Sequence, residues 1–133
     1  MTYRVLACGG RDFRNVALAH KVLNELHATH GVTCLIEGGA QGADKLALLW
    51  AISRKPSIDI ESYQARWDTL GRGAGFIRNA RMLKEGKPDL VVAFPGGEGT
   101  RNMVTLARRA GVPIILVAPY GDLEYINFSD TEG

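Results

Sequence analysis

The sequence predicts an α/β fold in which a five-stranded, mainly parallel sheet lies between two layers of helices. Short apolar runs of strand length alternate with segments whose apolar residues recur at helical spacing. The helical segments can serve as crossovers, and right-handed crossovers place helices on both faces of a parallel sheet. Each of the first four strands is followed by a glycine-rich turn or loop. We therefore expect a three-layer α/β/α sandwich.

The alternation of strands and helices runs without a linker, which indicates one domain. The expected strands span residues 3–8, 33–36, 58–63, 90–94 and 113–117. The expected helices span residues 16–30, 43 to about 55, 76–85 and 101–110. We assign residues 1–120 to a single ligand-binding domain and residues 121–133 to a C-terminal tail, whose polar end we expect to be frayed.

Composition and charge limit the classes of protein to consider. The chain has 133 residues and a formal net charge of +2, which favours a small anionic ligand over nucleic acid. No apolar run is long enough to cross a bilayer, and the N-terminus lacks a signal-peptide layout, so we expect a cytoplasmic protein. Two cysteines and three dispersed histidines predict neither a metal site nor a disulfide framework, and we expect no cofactor.

The turn after the fourth strand is the most informative stretch. Residues 95–100, with the sequence PGGEGT, join an apolar strand to a helix, and we expect Thr100 to cap that helix. Glycines allow the backbone to approach phosphate oxygens, and the free amides of a helix N-terminus point at the negative charge. This segment therefore predicts a site for a phosphorylated ligand.

Glycine-rich segments also follow the other three crossover strands, at residues 9–12, 38–44 and 71–75. In a parallel sheet these segments meet at one carboxyl edge, where ligands bind near the point at which the strand order reverses. The candidate ligand-binding residues are Gly9, Gly10, Arg11, Gly38, Gly39, Gly42, Asp44, Arg78, Asn79, Pro95, Gly96, Gly97, Gly99 and Thr100.

The polar candidates have several open roles. Arg11 and Arg78 can pair with phosphate oxygens. Asp44 either contacts a ribose hydroxyl or caps its helix, and Asn79 either contacts a base or sugar or caps its helix. Trp67 either stacks on a ligand ring or packs its loop, and we favour packing.

Two carboxylates are candidate acid–base groups. Glu37 stands at a strand end and Glu98 in the phosphate turn, where it can also simply face solvent. The sequence contains no G-x-x-x-x-G-K-[ST] run, and the first turn is not G-x-G-x-x-G. These absences argue against ATPase-type catalysis and a dinucleotide-dependent dehydrogenase.

The four motifs, in this order, resemble those of the SLOG superfamily, and within it the YspA/YpsA-related proteins. The resemblance extends from about residue 3 to residue 117. It implies a Rossmann-like fold and a nucleotide-type ligand, with no settled reaction. The superfamily includes the LOG phosphoribohydrolases and the DNA-processing DprA proteins, and LOG-type relatives imply a homodimer or higher homo-oligomer.

The comparison with LOG enzymes identifies one departure. Arg78 and Met82 match the LOG helix motif, and residues 95–100 match its P-G-G-x-G-T turn. The position of the LOG catalytic glutamate is Met103, whose thioether cannot act as an acid–base group. The leading hypothesis is therefore the binding or sensing of a nucleotide or an ADP-ribose-like derivative. The alternatives are a LOG-type phosphoribohydrolase with a different carboxylate and, third, a DprA-like DNA-associated protein.

Overall fold

The computed structural model describes residues 1–128 and shows a six-stranded sheet with helices on both faces. The strands are β1 (Arg4–Cys8), β2 (Cys34–Glu37), β3 (Asp59–Ser62), β4 (Leu90–Ala93), β5 (Ile114–Val117) and β6 (Leu123–Ile126). The helices are α1 (Val16–His30), α2 (Ala43–Ile52), α3 (Trp67–Leu70), α4 (Ala74–Gly86) and α5 (Glu98–Arg109), with a 3₁₀ turn at Gly71–Gly73 between α3 and α4.

The strand order places a switch point at the centre of the sheet. The order is β3-β2-β1-β4-β5-β6, and the first five of these strands are parallel to one another. From β1 the chain moves outward to β2 and β3, and it then returns to β4 on the other side of β1. The carboxyl ends of β1 and β4 therefore flank the crevice in which open parallel sheets bind their ligands. This is a Rossmann-like arrangement, as predicted.

The sheet has six strands rather than the expected five. The additional strand, β6, pairs antiparallel with β5, with Leu123 opposite Val117 and Ile126 opposite Ile114. Leu123 packs in the core on one face of the sheet and Ile126 in the core on the other face. These two contacts hold β6 at the edge of the sheet. The segment assigned to the tail therefore begins with a structural element, and residues 129–133 of the expected frayed end lie outside the described residues.

Alternating side chains of the buried strands divide the core into two layers. In β4, Leu90 and Val92 pack against α1 and α2, whereas Val91 and Ala93 pack against α4 and α5. Successive side chains of a strand point to opposite faces of the sheet, so a strand that is covered on both faces has apolar residues at consecutive positions. No helix in the part of the chain that the structure describes is long and apolar enough to cross a membrane.

Candidate ligand-binding site

A cavity of about 390 Å³ lies at the carboxyl edge of the sheet, beside the switch point between β1 and β4. Its walls come from the end of β1 and the loop after it, the loop after β2 with the start of α2, the α3–α4 region, and the start of α5 with the preceding Gly97. The lining residues are Cys8, Gly9, Gly10, Arg11, Ala40, Asp44, Trp67, Arg72, Gly75, Phe76, Arg78, Asn79, Met82, Gly97, Glu98, Gly99 and Thr100.

The cavity brings together nine of the fourteen predicted residues, namely Gly9, Gly10, Arg11, Asp44, Arg78, Asn79, Gly97, Gly99 and Thr100. The other five do not line it. Pro95 and Gly96 line an adjoining cavity, whereas Gly38, Gly39 and Gly42 lie in the loop between β2 and α2.

Several of the predicted glycines are required by contacts between loops. A Cβ on Gly42, whose φ is +76°, would collide with the carbonyl oxygen of Gly10. A Cβ on Gly9 would lie 2.6 Å from the Cβ of Ala43. The amide of Gly10 donates to the carbonyl of Pro95 at 2.9 Å, and the amide of Ala43 donates to the carbonyl of Gly10 at 3.1 Å. Because these glycines have no side chain, the backbones of the loops after β1, β2 and β4 can lie in direct contact.

Close contacts between loops do not explain why glycine stands at positions 97 and 99. A Cβ at either position would meet no atom of residues 1–128 within 4 Å, and neither residue has a positive φ. Helix α5 begins at Glu98 with Gly97 as its N-cap, so the prediction that Thr100 caps the helix is wrong. Among the described residues no side chain caps this end, and the first intrahelical bond runs from the amide of Arg101 to the carbonyl of Gly97 at 3.0 Å. The amides of residues 98–100 are therefore available at the cavity.

Arg78 projects from α4 and is tied to the loop after β2. Its guanidinium donates to the carbonyl of Gly38, and its Nε donates to Oδ1 of Asn79 at 3.0 Å. Burial lowers the pKa of Arg78, and the nearby carboxylate of Asp44 opposes that effect. An arginine remains protonated despite a lowered pKa, so Arg78 presents a fixed positive charge to the cavity.

Asp44 lies in the first turn of α2 and supports the preceding loop. Its Oδ2 accepts hydrogen bonds from the amides of Gly38 at 3.2 Å and Ala40 at 3.1 Å. The N-cap of α2 is Gly42, so Asp44 does not have the N-cap position that was one of its two expected roles. The residue is 6% exposed, and burial raises its pKa to about 6, although the bond from Ala40 acts in the opposite direction.

Asn79 is buried and joins α4 to α5. Its Nδ2 donates to the carbonyl of Gly99 at 3.1 Å and to Oδ1 of Asn102 at 3.0 Å, while its Oδ1 accepts from Arg78. These bonds hold the start of α5 against α4. The same three hydrogen bonds use the side-chain amide group of Asn79, which we expected either to contact a base or sugar or to cap the helix.

An aromatic and basic wall of the cavity was absent from the predicted ligand-binding set. Trp67 is 48% exposed and Phe76 is 41% exposed, and both line the cavity together with Arg72. The guanidinium carbon of Arg11 lies 5.3 Å from the centre of the Trp67 ring. The exposed part of the ring is open to a stacking ligand, while its contacts with Arg11 and Gly75 fit the favoured interpretation of Trp67 as loop packing. Arg72 could have been found from its position inside the glycine-rich segment 71–75.

Comparison with known proteins identifies the family. The profile of the YspA, cpYpsA-related SLOG family matches residues 3–69. The gene 61 protein of Mycobacterium phage D29 is 35% identical over 118 residues, which cover 84% of this chain and 94% of that protein. The chain belongs to the YspA, cpYpsA-related SLOG family. The matched range contains the glycine-rich segments that follow β1 and β2.

Solved structures similar to this SLOG chain confirm its fold. MurG of Acinetobacter baumannii is 21% identical with a TM-score of 0.52, over 87% of this chain and 36% of that one. The UDP-N-acetylglucosamine 2-epimerase of Rickettsia bellii is 18% identical with a TM-score of 0.51, over 88% of this chain and 31% of that one. The chain thus spans about a third of the length of these structures, and at this identity the likeness concerns the fold alone.

The two candidate acid–base carboxylates of the SLOG chain differ in exposure and in whether they line the cavity. Glu37 is 1% exposed and accepts hydrogen bonds from the amide of Gly39 at 2.7 Å and from the hydroxyl of Ser62. Glu98 is exposed and lines the cavity. Met103, at the position of the LOG glutamate, is fully buried in the layer between the sheet and α5 and does not line the cavity.

Proposed function

We propose that this chain binds a nucleotide or nucleotide-derived ligand, with a phosphate at the N-terminus of α5. The observation that carries the proposal is the open start of that helix. Gly97 and Gly99 have free space where a side chain would be, and the amides of residues 98–100 have no intrahelical acceptor. A phosphate oxygen at this point would accept hydrogen bonds from these amides and interact with the positive end of the helix dipole.

The charges around the cavity also support an anionic ligand. Arg11, Arg72 and Arg78 line it, against the two carboxylates of Asp44 and Glu98. Two hydrogen bonds orient the Arg78 side chain, so less conformational entropy is lost when it pairs with a phosphate. The excess of positive groups in a partly enclosed site favours a phosphorylated compound.

The aromatic wall supports a ligand that also carries a planar ring. Trp67 and Phe76 expose apolar surface beside the arginines. Stacking of a base on an aromatic side chain contributes about 1–3 kcal/mol. Phosphate and base are the two parts of a nucleotide, and membership of the SLOG family agrees with such a ligand.

The substitution Gly99→Ala tests the phosphate position. Alanine has a higher helix propensity than glycine and meets no neighbouring atom here, so the variant should gain about 0.5–1 kcal/mol in free energy of unfolding. Its methyl group would occupy the space assigned to the phosphate. We expect calorimetry with AMP and ADP to show an affinity at least about tenfold lower than that of the unsubstituted chain.

Gly73→Ala is the matched control. A Cβ added to Gly73 would also meet no atom of the described residues within 4 Å, the φ of −76° suits alanine, and Gly73 does not line the cavity. This variant should bind AMP and ADP with unchanged affinity. The proposal would be overturned if the unsubstituted chain bound no member of a panel of nucleotides, cyclic nucleotides, NAD and ADP-ribose. Equal binding by Gly99→Ala and Gly73→Ala would exclude a phosphate at α5.

A second candidate function is the hydrolysis of an N-glycosidic bond. The observation that favours it is the position of Asp44, a cavity-lining carboxyl whose pKa is raised to about 6 by burial. A carboxyl with such a pKa can act as a general acid near neutral pH. If this function holds, the chain will release free base from nucleoside monophosphates, and Asp44→Asn will abolish the release. Intact substrate after prolonged incubation would exclude it.

A further inference from the structure

A separate cavity of about 330 Å³ lies between the loop after β3, helix α3 and helix α4. Among the described residues, only Arg78 also lines the cavity at the switch point. Three arginines border the separate cavity, and no carboxylate of residues 1–128 lines it, so we call it the arginine cavity. Its lining residues are Gln64, Arg66, Leu70, Ala74, Ile77, Arg78 and Arg81.

Two of the three guanidinium groups keep donors free. The exposed side chain of Arg66 forms no hydrogen bond or ion pair with any residue in the range 1–128. Arg81 donates from Nε and Nη2 to Glu85, with the shorter contact at 3.1 Å, and its guanidinium carbon lies 5.4 Å from the centre of the Tyr63 ring. These contacts orient Arg81 and leave its Nη1 without a partner in the described part of the chain. Asp68, two residues after Arg66, is exposed and does not line the cavity.

Arg78 adds a fixed positive charge between the two cavities. Its guanidinium is held by the carbonyl of Gly38 and by Oδ1 of Asn79. The carboxylates of Asp44 and Glu37 act on this charge, but neither of them lines the arginine cavity. The arginine cavity is therefore positive on its walls, and the opposing carboxylates stand outside it.

The apolar part of the arginine cavity is aliphatic. Leu70 and Ile77 line it and are both exposed, and Ala74 lies buried beside them. No aromatic side chain of the described residues lines this cavity, in contrast to the cavity that contains Trp67 and Phe76. An anion that also carries an aliphatic group would cover exposed apolar surface here.

We propose that the arginine cavity is a second binding site, for a phosphate monoester with a short aliphatic substituent. The phosphate accepts hydrogen bonds from Arg66 and from Nη1 of Arg81, and the substituent covers Leu70 and Ile77. Three terminal oxygens and a charge near −2 allow a phosphate to pair with more than one guanidinium, whereas a carboxylate has two oxygens and one charge. This site does not depend on nucleotide binding at the switch point.

A matched pair of ligands, n-butyl phosphate and inorganic phosphate, tests the site by NMR titration of the backbone amides. We expect saturable shifts at Gln64, Leu70 and Ile77, with about tenfold tighter binding of n-butyl phosphate because its chain is partly buried. Arg66→Ala should weaken the binding of both compounds about tenfold, through the loss of a charged hydrogen bond. Ile77→Ala should leave inorganic phosphate unaffected and reduce the advantage of n-butyl phosphate to about threefold.

Arg109→Ala and Ile52→Ala are the matched controls. Both residues are exposed and line neither the arginine cavity nor the cavity at the switch point, so both variants should bind as the unsubstituted chain does. Shifts confined to Gly97 and Gly99, or equal binding by Arg66→Ala and Arg109→Ala, would overturn the second site. Equal affinities for the two phosphates would overturn its aliphatic part. All of these results would leave the proposed function standing, since Gly99→Ala tests that function separately.

Discussion

The carboxylate of Asp44 lies 3.2 Å from the backbone nitrogen of Gly38 and accepts its hydrogen bond. The carbonyl of the same glycine accepts a hydrogen bond from the guanidinium of Arg78. Gly38 is thus held on both sides, by the first turn of α2 and by α4. Because both of these side chains also line the cavity, the position of the loop after β2 and the charges of the cavity depend on the same contacts.

The buried Asp44 should make stability depend on pH. Its pKa is raised from 3.8 to about 6, so between these values the folded chain retains a proton that the unfolded chain has lost. The contribution of Asp44 to the free energy of unfolding therefore decreases as pH rises through this range and is constant above it. Relative to Asp44→Asn, the unsubstituted chain should lose about 2 kcal/mol between pH 4 and pH 7.

Urea denaturation at several pH values measures this difference, and Asp59→Asn, at an exposed carboxylate, is the control. The control should follow the unsubstituted chain throughout. A constant difference between Asp44→Asn and the unsubstituted chain from pH 4 to pH 7 would mean that Asp44 titrates as an ordinary exposed carboxyl.

A glutamate at position 103 should fail to create a hydrolase. Met103 is fully buried among apolar side chains, so Met103→Glu would bury a carboxyl group without a partner. We expect a loss of about 3 kcal/mol or more in free energy of unfolding and no release of free base from AMP. Met103→Leu, which keeps an apolar side chain of similar volume, should lose less than about 1.5 kcal/mol. A stable Met103→Glu variant that releases free base would contradict the conclusion that residue 103 faces the core and not the cavity.

Trp67 should contribute to the binding of the base and little to stability. Because the side chain is 48% exposed, Trp67→Ala should change the free energy of unfolding by less than about 1 kcal/mol. It should weaken AMP binding by about 1–3 kcal/mol, while Trp67→Phe retains most of the affinity. Calorimetry with AMP and with ribose 5-phosphate separates stacking on the base from an effect on the rest of the site, since ribose 5-phosphate has no base. Equal losses for both compounds would assign Trp67 a structural role.

Local sequence patterns were sufficient for most of the fold. Apolar runs and helical periodicity predicted β1 to β5 and the four long helices, with boundaries that differ by a few residues. They did not reveal β6, a four-residue strand whose pairing with β5 depends on where Leu123 and Ile126 meet the core. An edge strand with little burial leaves only a weak pattern in the sequence.

The role of each glycine, in contrast, required the tertiary structure. The sequence marks Gly42 and Gly99 alike as members of glycine-rich turns. In the folded chain, Gly42 is required because the carbonyl of Gly10 occupies the space of a side chain, whereas Gly99 borders an open cavity. Contacts between loops far apart in sequence decide this difference, and local composition cannot encode them.

The sequence by itself determined the parallel α/β architecture, the family and the sheet edge at which the cavity lies. These follow from periodicities and motifs that are local in the chain. Only the tertiary structure decided that Asn79 joins two helices, that Met103 faces the core and that Trp67 faces the cavity. The physical reason is that the orientation of a side chain depends on which elements pack together, and that packing is set by contacts between distant residues.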